Sequence, residues 1–268
     1  MLRVLALLTE TATADQILSA SACLLAQAGP TAITLLHPLA QSDPDFMRTE
    51  EVHTARTDAR FAAAQQALAV ELAQRADAWR QSGLPSLEIR AGAPEQIVTA
   101  AAREADLILL AAPQGDADAR ALLDLLLLRL AKPVLLLPRQ MPHSFAQSIA
   151  IAWSDADNAA ARAIGAVQAL LRACQRATIL LGTDSPHAAP PPQALLDSLE
   201  AAGRPARLHE FALAGRHVGT ALLAEAHAVG ADFLVMGAFT HGRLREILFG
   251  GATAEVLRQL DLPVLMQH

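Results

Sequence analysis

A stretch near the end of the chain has the residue types that hold a phosphate group. Gly237 follows a short apolar run, and Gly250-Gly251-Ala252-Thr253 stands directly before a helical pattern. A glycine lets the backbone approach a phosphate more closely than any residue with a Cβ, and the N–H groups at a helix N-terminus attract an anion. We therefore predict that residues 250–253 make the main phosphate contact, with the Thr253 hydroxyl as a further donor. Glycines at strand ends and before helices also serve as plain turn residues, and that interpretation stays open.

The elements that must position this loop alternate regularly along the chain. In the first half, apolar runs predict strands and helical patterns predict helices, in the order strand 3–9, helix 14–28, strand 31–37, helix 58–81, strand 87–90, helix 94–104, strand 106–111, helix 118–130 and strand 134–137. The second half repeats this order, with strand 149–153, helix 158–174, strand 177–181, helix 193–202, strand 207–211, helix 218–229 and a last strand at 264–266. Alternating strands and helices predict parallel sheets.

Two short matches show that the halves are repeats of one unit. Ala105-Asp106 opens an apolar run in the first half as Ala231-Asp232 does in the second, and Pro133 precedes the last strand as Pro263 does. The predicted fold is α/β, with two tandem doubly wound domains, each a five-stranded parallel sheet flanked by helices. The predicted domains are 1–140 and 146–268, joined by a proline-containing linker. The segment between the shared Asp and the shared Pro is longer in the second half, where the glycines lie.

The glycine loop resembles the universal stress protein family. Nucleotide-binding members of that family carry a glycine, two residues, a glycine, nine residues, and then a glycine followed by a small residue. In this frame Gly237 is the first glycine, Gly250 the third, and Gly251 takes the place of the small residue. Thr240 stands where the second glycine belongs. Either the loop reroutes through Gly242, or Thr240 disables it, because a β-branched residue resists positive φ.

The resemblance also implies partners for the rest of a nucleotide. The backbone of Ala152 and Trp153 would flank the base, and Asp155 would lie near the ribose, although an Asp before a helix commonly serves as an N-cap. Met236 would pack on the adenine or simply fill the core. Arg243 would neutralise phosphates or lie in a solvated turn.

Composition excludes several other classes of function. The net charge of -6, with two Trp and no Tyr, does not favour nucleic-acid binding. The leucine-rich segment 121–137 is interrupted by charged residues and a proline, so it does not predict a membrane span, and the N-terminus lacks a signal-peptide pattern. A soluble cytoplasmic protein is expected. Cys23 and Cys174 fall in helical patterns typical of buried thiols, and the histidines have no metal-ligand spacing.

The family resemblance implies a stress-response regulator that binds an adenine nucleotide in its second half: ATP, or else ADP or AMP, with Mg as a compatible ion. The first half has no glycine pair before its corresponding helix, and Asp116 and Asp118 would repel a phosphate, so it is expected to have lost binding. Adenylating enzymes have a similar order of strands and helices, but their Ser-Gly-Gly-x-Asp and His-x-Gly-His signatures are absent from this sequence. We therefore expect any ATP hydrolysis to be slow and incidental.

The alternative left open is a degenerate interaction protein that binds no nucleotide. In either case the apolar runs 134–137 and 264–266 predict that the two halves pair as an internal pseudo-dimer, by the pairing the family resemblance implies, with a homodimer of the whole chain as a further option.

Overall fold

The structure is a computed structural model, which describes residues 1–41, 55–113, 117–154, 159–184, 192–201, 203, 206–238 and 251–268. In the first half the strands and helices are β1 (Leu2–Leu7), α1 (Ala14–Gln27), β2 (Thr31–Ala40), α2 (Ala55–Ala78), β3 (Leu87–Gly92), α3 (Pro94–Glu104), β4 (Leu107–Ala111), α4 (Ala117–Asp124) and β5 (Val134–Leu137). In the second half they are β6 (Ser148–Trp153), α5 (Ala159–Ala166), α6 (Gln168–Ala173), β7 (Arg176–Gly182), α7 (Gln193–Ala201), β8 (Ala206–Phe211), α8 (Val218–Ala228), β9 (Phe233–Gly237), α9 (Ala252–Gln259) and β10 (Val264–Gln267).

Two predicted helices differ from the expectation. The helix predicted at 158–174 is divided into α5 and α6 at Val167, whose φ of -111° and ψ of 15° leave the helical region. Gly165, a residue of low helical propensity, precedes the break. The helix predicted at 118–130 begins as α4 and continues as a π-helical turn over Leu125–Arg129. In both places the apolar pattern indicated a continuous helix, because periodicity does not detect a change of hydrogen-bond pattern.

The ten strands of the described residues join one sheet, in the order β3-β2-β1-β4-β5-β10-β9-β6-β7-β8. Neighbouring strands are parallel within each half, as predicted. The halves meet where β5 and β10 pair antiparallel, with Leu135 opposite Leu265. The pairing of the two last strands that the sequence predicted is therefore confirmed. It merges the two expected sheets into one.

The core consists of two apolar layers, one on each face of the sheet. One layer buries α1, α2, α5, α6 and α7, and the other buries α3, α4, α8 and α9. Each layer contains buried residues of both halves, for example Ile17 and Ile164 in the first and Leu126 and Val256 in the second. The hydrophobic cores therefore continue across the β5/β10 junction.

The repeated Ala-Asp sequence has a structural role in both halves. The Asp232 carboxylate accepts hydrogen bonds from the backbone N–H groups of Ser148 (2.9 Å) and Gln147 (3.2 Å), at the start of β6. Asp106 likewise accepts from the Arg3 backbone N–H at 2.9 Å and pairs with the Arg3 guanidinium at 2.9 Å. The hydrogen bond from Arg3 lowers the pKa of Asp106. Each Asp thus joins the start of one central strand to the start of its neighbour.

The helices within the described ranges include none that is both long enough and apolar enough to cross a bilayer.

Candidate functional site

The residues predicted to hold the base and the first phosphate-loop glycine lie at one edge of the sheet. The chain runs from β6 to β7 in one direction, whereas β9 and β10 lie on the other side of β6. In open α/β sheets, ligands bind outside the carboxyl ends of the strands at such a switch point. Ala152 and Trp153 end β6, and Met236 and Gly237 end the adjacent β9. The structure brings these four predicted site residues together.

The side chains at these strand ends lie on opposite faces of the sheet. Ala152 and Met236 are buried in the apolar layer of α8 and α9, and only 3% of Met236 is exposed. Trp153 is partly buried and packs against the other layer. Met236 therefore has the burial of a core residue. A contact between Met236 and an adenine stays a prediction.

Gly251 leads the chain into α9 with a backbone that favours glycine. Its φ is 107° and its ψ is 159°, in a region that residues with a Cβ rarely adopt. No described heavy atom lies within 4 Å of the position that a Cβ would take. Ala252 is the first helical residue, and the buried Thr253 is the second. A helix leaves its first four N–H groups without intrahelical acceptors, which makes this end the natural place for an anion.

Five of the predicted site residues lie outside the described residues: Asp155, Thr240, Gly242, Arg243 and Gly250. Their roles stay predictions. The described part of the site consists of the strand ends and the first turn of α9.

A buried carboxylate beside the α9 N-terminus was missed by the sequence analysis. Glu255 is 7% exposed, and its Oε2 accepts a hydrogen bond of 2.8 Å from the backbone N–H of Gly219, in the first turn of α8. The His217 Nδ1 atom lies 3.1 Å from Glu255 Oε1. Glu255 therefore caps α8 from α9 and ties the two helix N-termini together.

A second group of polar residues lies at the same edge, at the end of β10. Gln267 pairs with Gly237 in the sheet, and its buried Oε1 has no hydrogen-bond partner among the described residues. The His268 Nδ1 atom lies 3.0 Å from the Ala238 carbonyl, and the Arg162 Nε–H of α5 donates to the His268 carbonyl at 3.2 Å. The apolar and glycine patterns gave no signal for these residues, because their proximity depends on strand pairing.

The corresponding edge of the first half contains a buried histidine. His37 is 2% exposed, and its Nδ1–H donates to the Leu8 carbonyl at 2.7 Å. Pro38 has no N–H to offer that carbonyl, so the imidazole replaces the missing sheet donor. Burial lowers the pKa of His37. Of the two acidic residues expected to repel a phosphate there, Asp116 lies outside the described residues and Asp118 is exposed in the first turn of α4.

Neither cysteine forms a disulfide: Cys23 is half-buried and Cys174 is buried. The described residues contain no group of three or more His, Cys, Asp or Glu side chains arranged to hold a metal ion.

Residues 148–268 match the model of the universal stress protein family. The second half of the chain is a universal stress protein domain. The first half repeats its strand order and joins it through β5, so the chain has the tandem architecture of two universal stress protein folds.

Solved structures agree with this architecture along the whole chain. A universal stress protein from Archaeoglobus fulgidus DSM 4304 is similar over 99% of this chain and 95% of its own, with 15% identity and a TM-score of 0.74. A putative universal stress protein from Pseudomonas aeruginosa UCBPP-PA14 covers 99% of this chain and 92% of its own, with 15% identity and a TM-score of 0.53. At these identities the likeness establishes the fold.

A universal stress protein solved in complex with cAMP is 24% identical over 46% of this chain and 96% of its own, with a TM-score of 0.33. No curated protein sequence matches the chain.

Proposed function

We propose that this protein binds an adenine nucleotide, ATP in the first place, in its second universal stress protein domain and acts as a stress-response regulator. The observation that carries the proposal is the start of α9. Gly251 has a positive φ and open space where a Cβ would be, and it leads into a helix N-terminus beside the switch point of the sheet. Backbone N–H groups and the helix dipole there favour a phosphate.

For the remaining parts of the nucleotide, the proposal uses the roles that the family resemblance implies. The base would lie against the backbone at the ends of β6 and β9, by Ala152, Trp153 and Gly237, with Asp155 toward the ribose. Gly237, Gly250, Gly251, Ala252 and Thr253 would cradle the phosphates, and Arg243 would neutralise part of their charge. Mg bound to the phosphates would reduce that charge further.

The proposal assigns binding rather than catalysis. A general base must reach the nucleophile that it activates, and the buried carboxylate at this end of α9, Glu255, is engaged by the Gly219 N–H and lies beside His217. We therefore expect slow, incidental ATP hydrolysis at most. We further propose that the protein acts in the cytoplasm as an internal pseudo-dimer of its two halves.

Two features favour the second candidate, a degenerate interaction protein without nucleotide. Thr240 replaces a glycine of the family loop, and Glu255 places a negative charge in the first turn of the helix that would receive the phosphates. Either feature weakens an anion site, so the two functions must be separated by experiment.

Binding is tested by calorimetric titration of ATP and by mass spectrometry of ligand released from freshly purified protein. The proposal expects bound or titratable adenine nucleotide, lost in Gly250→Val, because a branched side chain would enter the phosphate path. Gly115→Val, in the first half, is the matched control and should leave binding intact. Equal loss in both variants would rule out a single site in the second half, and a wild type that binds no nucleotide would favour the degenerate protein.

The role of Thr240 is tested separately. If the loop reroutes through Gly242, Thr240→Gly should change the ATP affinity little, whereas Gly242→Val should weaken it by more than about 1.4 kcal/mol, a factor of about ten. If Thr240 disables the loop, the wild type should not bind and Thr240→Gly should restore binding. We favour rerouting, because the glycines at residues 250 and 251 are retained. Tight wild-type binding that ignores Gly242→Val would contradict both accounts.

A further inference from the structure

The N-termini of α8 and α9 are packed against each other at the carboxyl edge of the second half. A Cβ on Gly219 would lie 2.4 Å from the Ala252 carbonyl oxygen and 2.6 Å from the Glu255 Cβ. The first turns of the two helices are therefore in backbone contact, which only a glycine allows. The Glu255 carboxylate lies between them, with its Oε2 hydrogen-bonded to the Gly219 N–H at 2.8 Å.

This arrangement has no counterpart in the first half. When the starts of α3 and α8 are aligned, Pro94 with Val218, Glu95 takes the place of Gly219. When Pro133 is aligned with Pro263, the buried Leu125 takes the place of Glu255. Both members of the pair thus change together between the repeats. A carboxylate at the position of Glu255 is present only in the half that carries the glycine loop.

The buried charge acts against the anion site of the same helix. A helix N-terminus provides roughly half a positive elementary charge, whereas an ionised carboxylate provides a full negative one. Glu255 also occupies the Gly219 N–H of α8, which would otherwise add to the attraction. Because helices rise about 1.5 Å per residue, a phosphate on the first N–H groups of α9 would lie within about 10 Å of Glu255. Burial leaves that repulsion only partly screened by solvent.

We propose that Glu255 is a specificity-determining residue that weakens the binding of highly charged nucleotides relative to uncharged adenosine. The inference rests on the proposed function, because it concerns the same site. ATP carries several negative charges that Glu255 repels, while adenosine carries none. The carboxylate therefore lowers the affinity for ATP without affecting recognition of the base and ribose, and it keeps the bound nucleotide exchangeable.

The test measures ATP and adenosine affinities for the wild type and for Glu255→Gln by calorimetry. Glutamine has nearly the same shape and keeps an oxygen that can accept from Gly219 N–H, so it removes the charge and retains the cap. We expect ATP to bind about three- to tenfold more tightly to the variant, and adenosine to stay within about twofold of wild type. Asp261→Asn is the matched control, since this exposed carboxylate follows the opposite end of α9, where it pairs with His227. It should change neither affinity.

A second variant protects the test against misfolding. Glu255→Leu copies the residue of the first half and also removes the charge, so it should raise the ratio of ATP to adenosine affinity as glutamine does. A purely structural role of Glu255 would change both affinities together. If both variants still bind ATP and the ratio of ATP to adenosine affinity is unchanged, this inference is wrong, whereas the proposed function stands. If wild type and variants bind neither ligand, the proposed function fails and the inference fails with it.

Discussion

Replacing Gly219 by alanine tests how tightly the first turns of α8 and α9 are packed. The new Cβ would lie 2.4 Å from the backbone oxygen of Ala252 and 2.6 Å from the Glu255 Cβ. Neither atom is the far end of a flexible side chain, so the helices must move apart. Overpacking of this kind costs about 1–3 kcal/mol, whereas alanine gains up to about 1 kcal/mol over glycine in a helix. With the full gain from alanine, we expect a net loss of up to about 2 kcal/mol in the free energy of unfolding.

Gly165→Ala provides a control of opposite sign. Gly165 is an exposed helical residue of α5, and no described heavy atom lies within 4 Å of its built Cβ. The same chemical change there should add about 0.4–1 kcal/mol of stability, because it reduces the freedom of the unfolded chain. The two variants differ only in what surrounds the added methyl group.

The measurement is urea unfolding followed by circular dichroism, with thermal melting in parallel. A change of 1 kcal/mol corresponds to roughly 2–4 °C in Tm for a domain of this size class. Gly219→Ala should melt below the wild type and Gly165→Ala above it. If Gly219→Ala is as stable as Gly165→Ala, the close contact of α8 and α9 is wrong, and the positioning of Glu255 loses its basis.

Three further predictions concern other described residues. Asp232→Ala should lower the free energy of unfolding in urea by about 1–3 kcal/mol, because Asp232 is only 6% exposed and its loss leaves strand N–H groups unpaired. Asp106→Ala should cost less, because the Asp106 side chain is 41% exposed. A larger loss in Asp106→Ala would contradict the role of Asp232 in joining the two strands. Burial lowers the pKa of His37, so as the pH falls the imidazole is protonated in the unfolded chain, near pH 6.5, before it is protonated in the folded chain. The contribution of His37 to stability should therefore be complete above about pH 7 and decrease as the pH drops toward about 5. His37→Asn should reduce this pH dependence of the free energy of unfolding. Gly251→Ala should cost about 1–3 kcal/mol, because its φ of 107° is unfavourable with a Cβ; an unchanged Tm would contradict the described backbone.

The sequence was sufficient to predict most of the architecture, because the relevant signals are local. The apolar run at β5, bounded by Pro133 and Pro138, matches Val134–Leu137 in the structure. Helix α3 begins at Pro94 and ends at Glu104, as its periodicity indicated. The pairing of β5 with β10 was also predicted, from their exposed apolar edges and from the family resemblance; its antiparallel orientation comes from the structure.

The glycine signal at the candidate site was local as well. Gly237 ends a strand and Gly251 precedes a helix, which the sequence predicted from turn chemistry and periodicity. Their proximity to Trp153 depends on the order of the strands in the sheet, which local patterns do not carry. Neither the glycine pattern nor the order of the strands identifies the bound ligand, because a fold and a site do not determine which molecule is bound.

The pair of Gly219 and Glu255 shows why the remaining polar contacts were not predicted. From the sequence alone, Gly219 is only a residue of low helix propensity in the first turn of α8. Glu255 is an acidic residue of the kind that is favourable in the first turn of a helix. Neither residue carries a local signal that refers to the other, since their contact arises from the packing of two helices that are far apart in sequence. The internal repeat holds the signal instead. Glu95 and Leu125 replace the two residues together in the first half, so comparing repeats position by position would detect a contact that periodicity cannot.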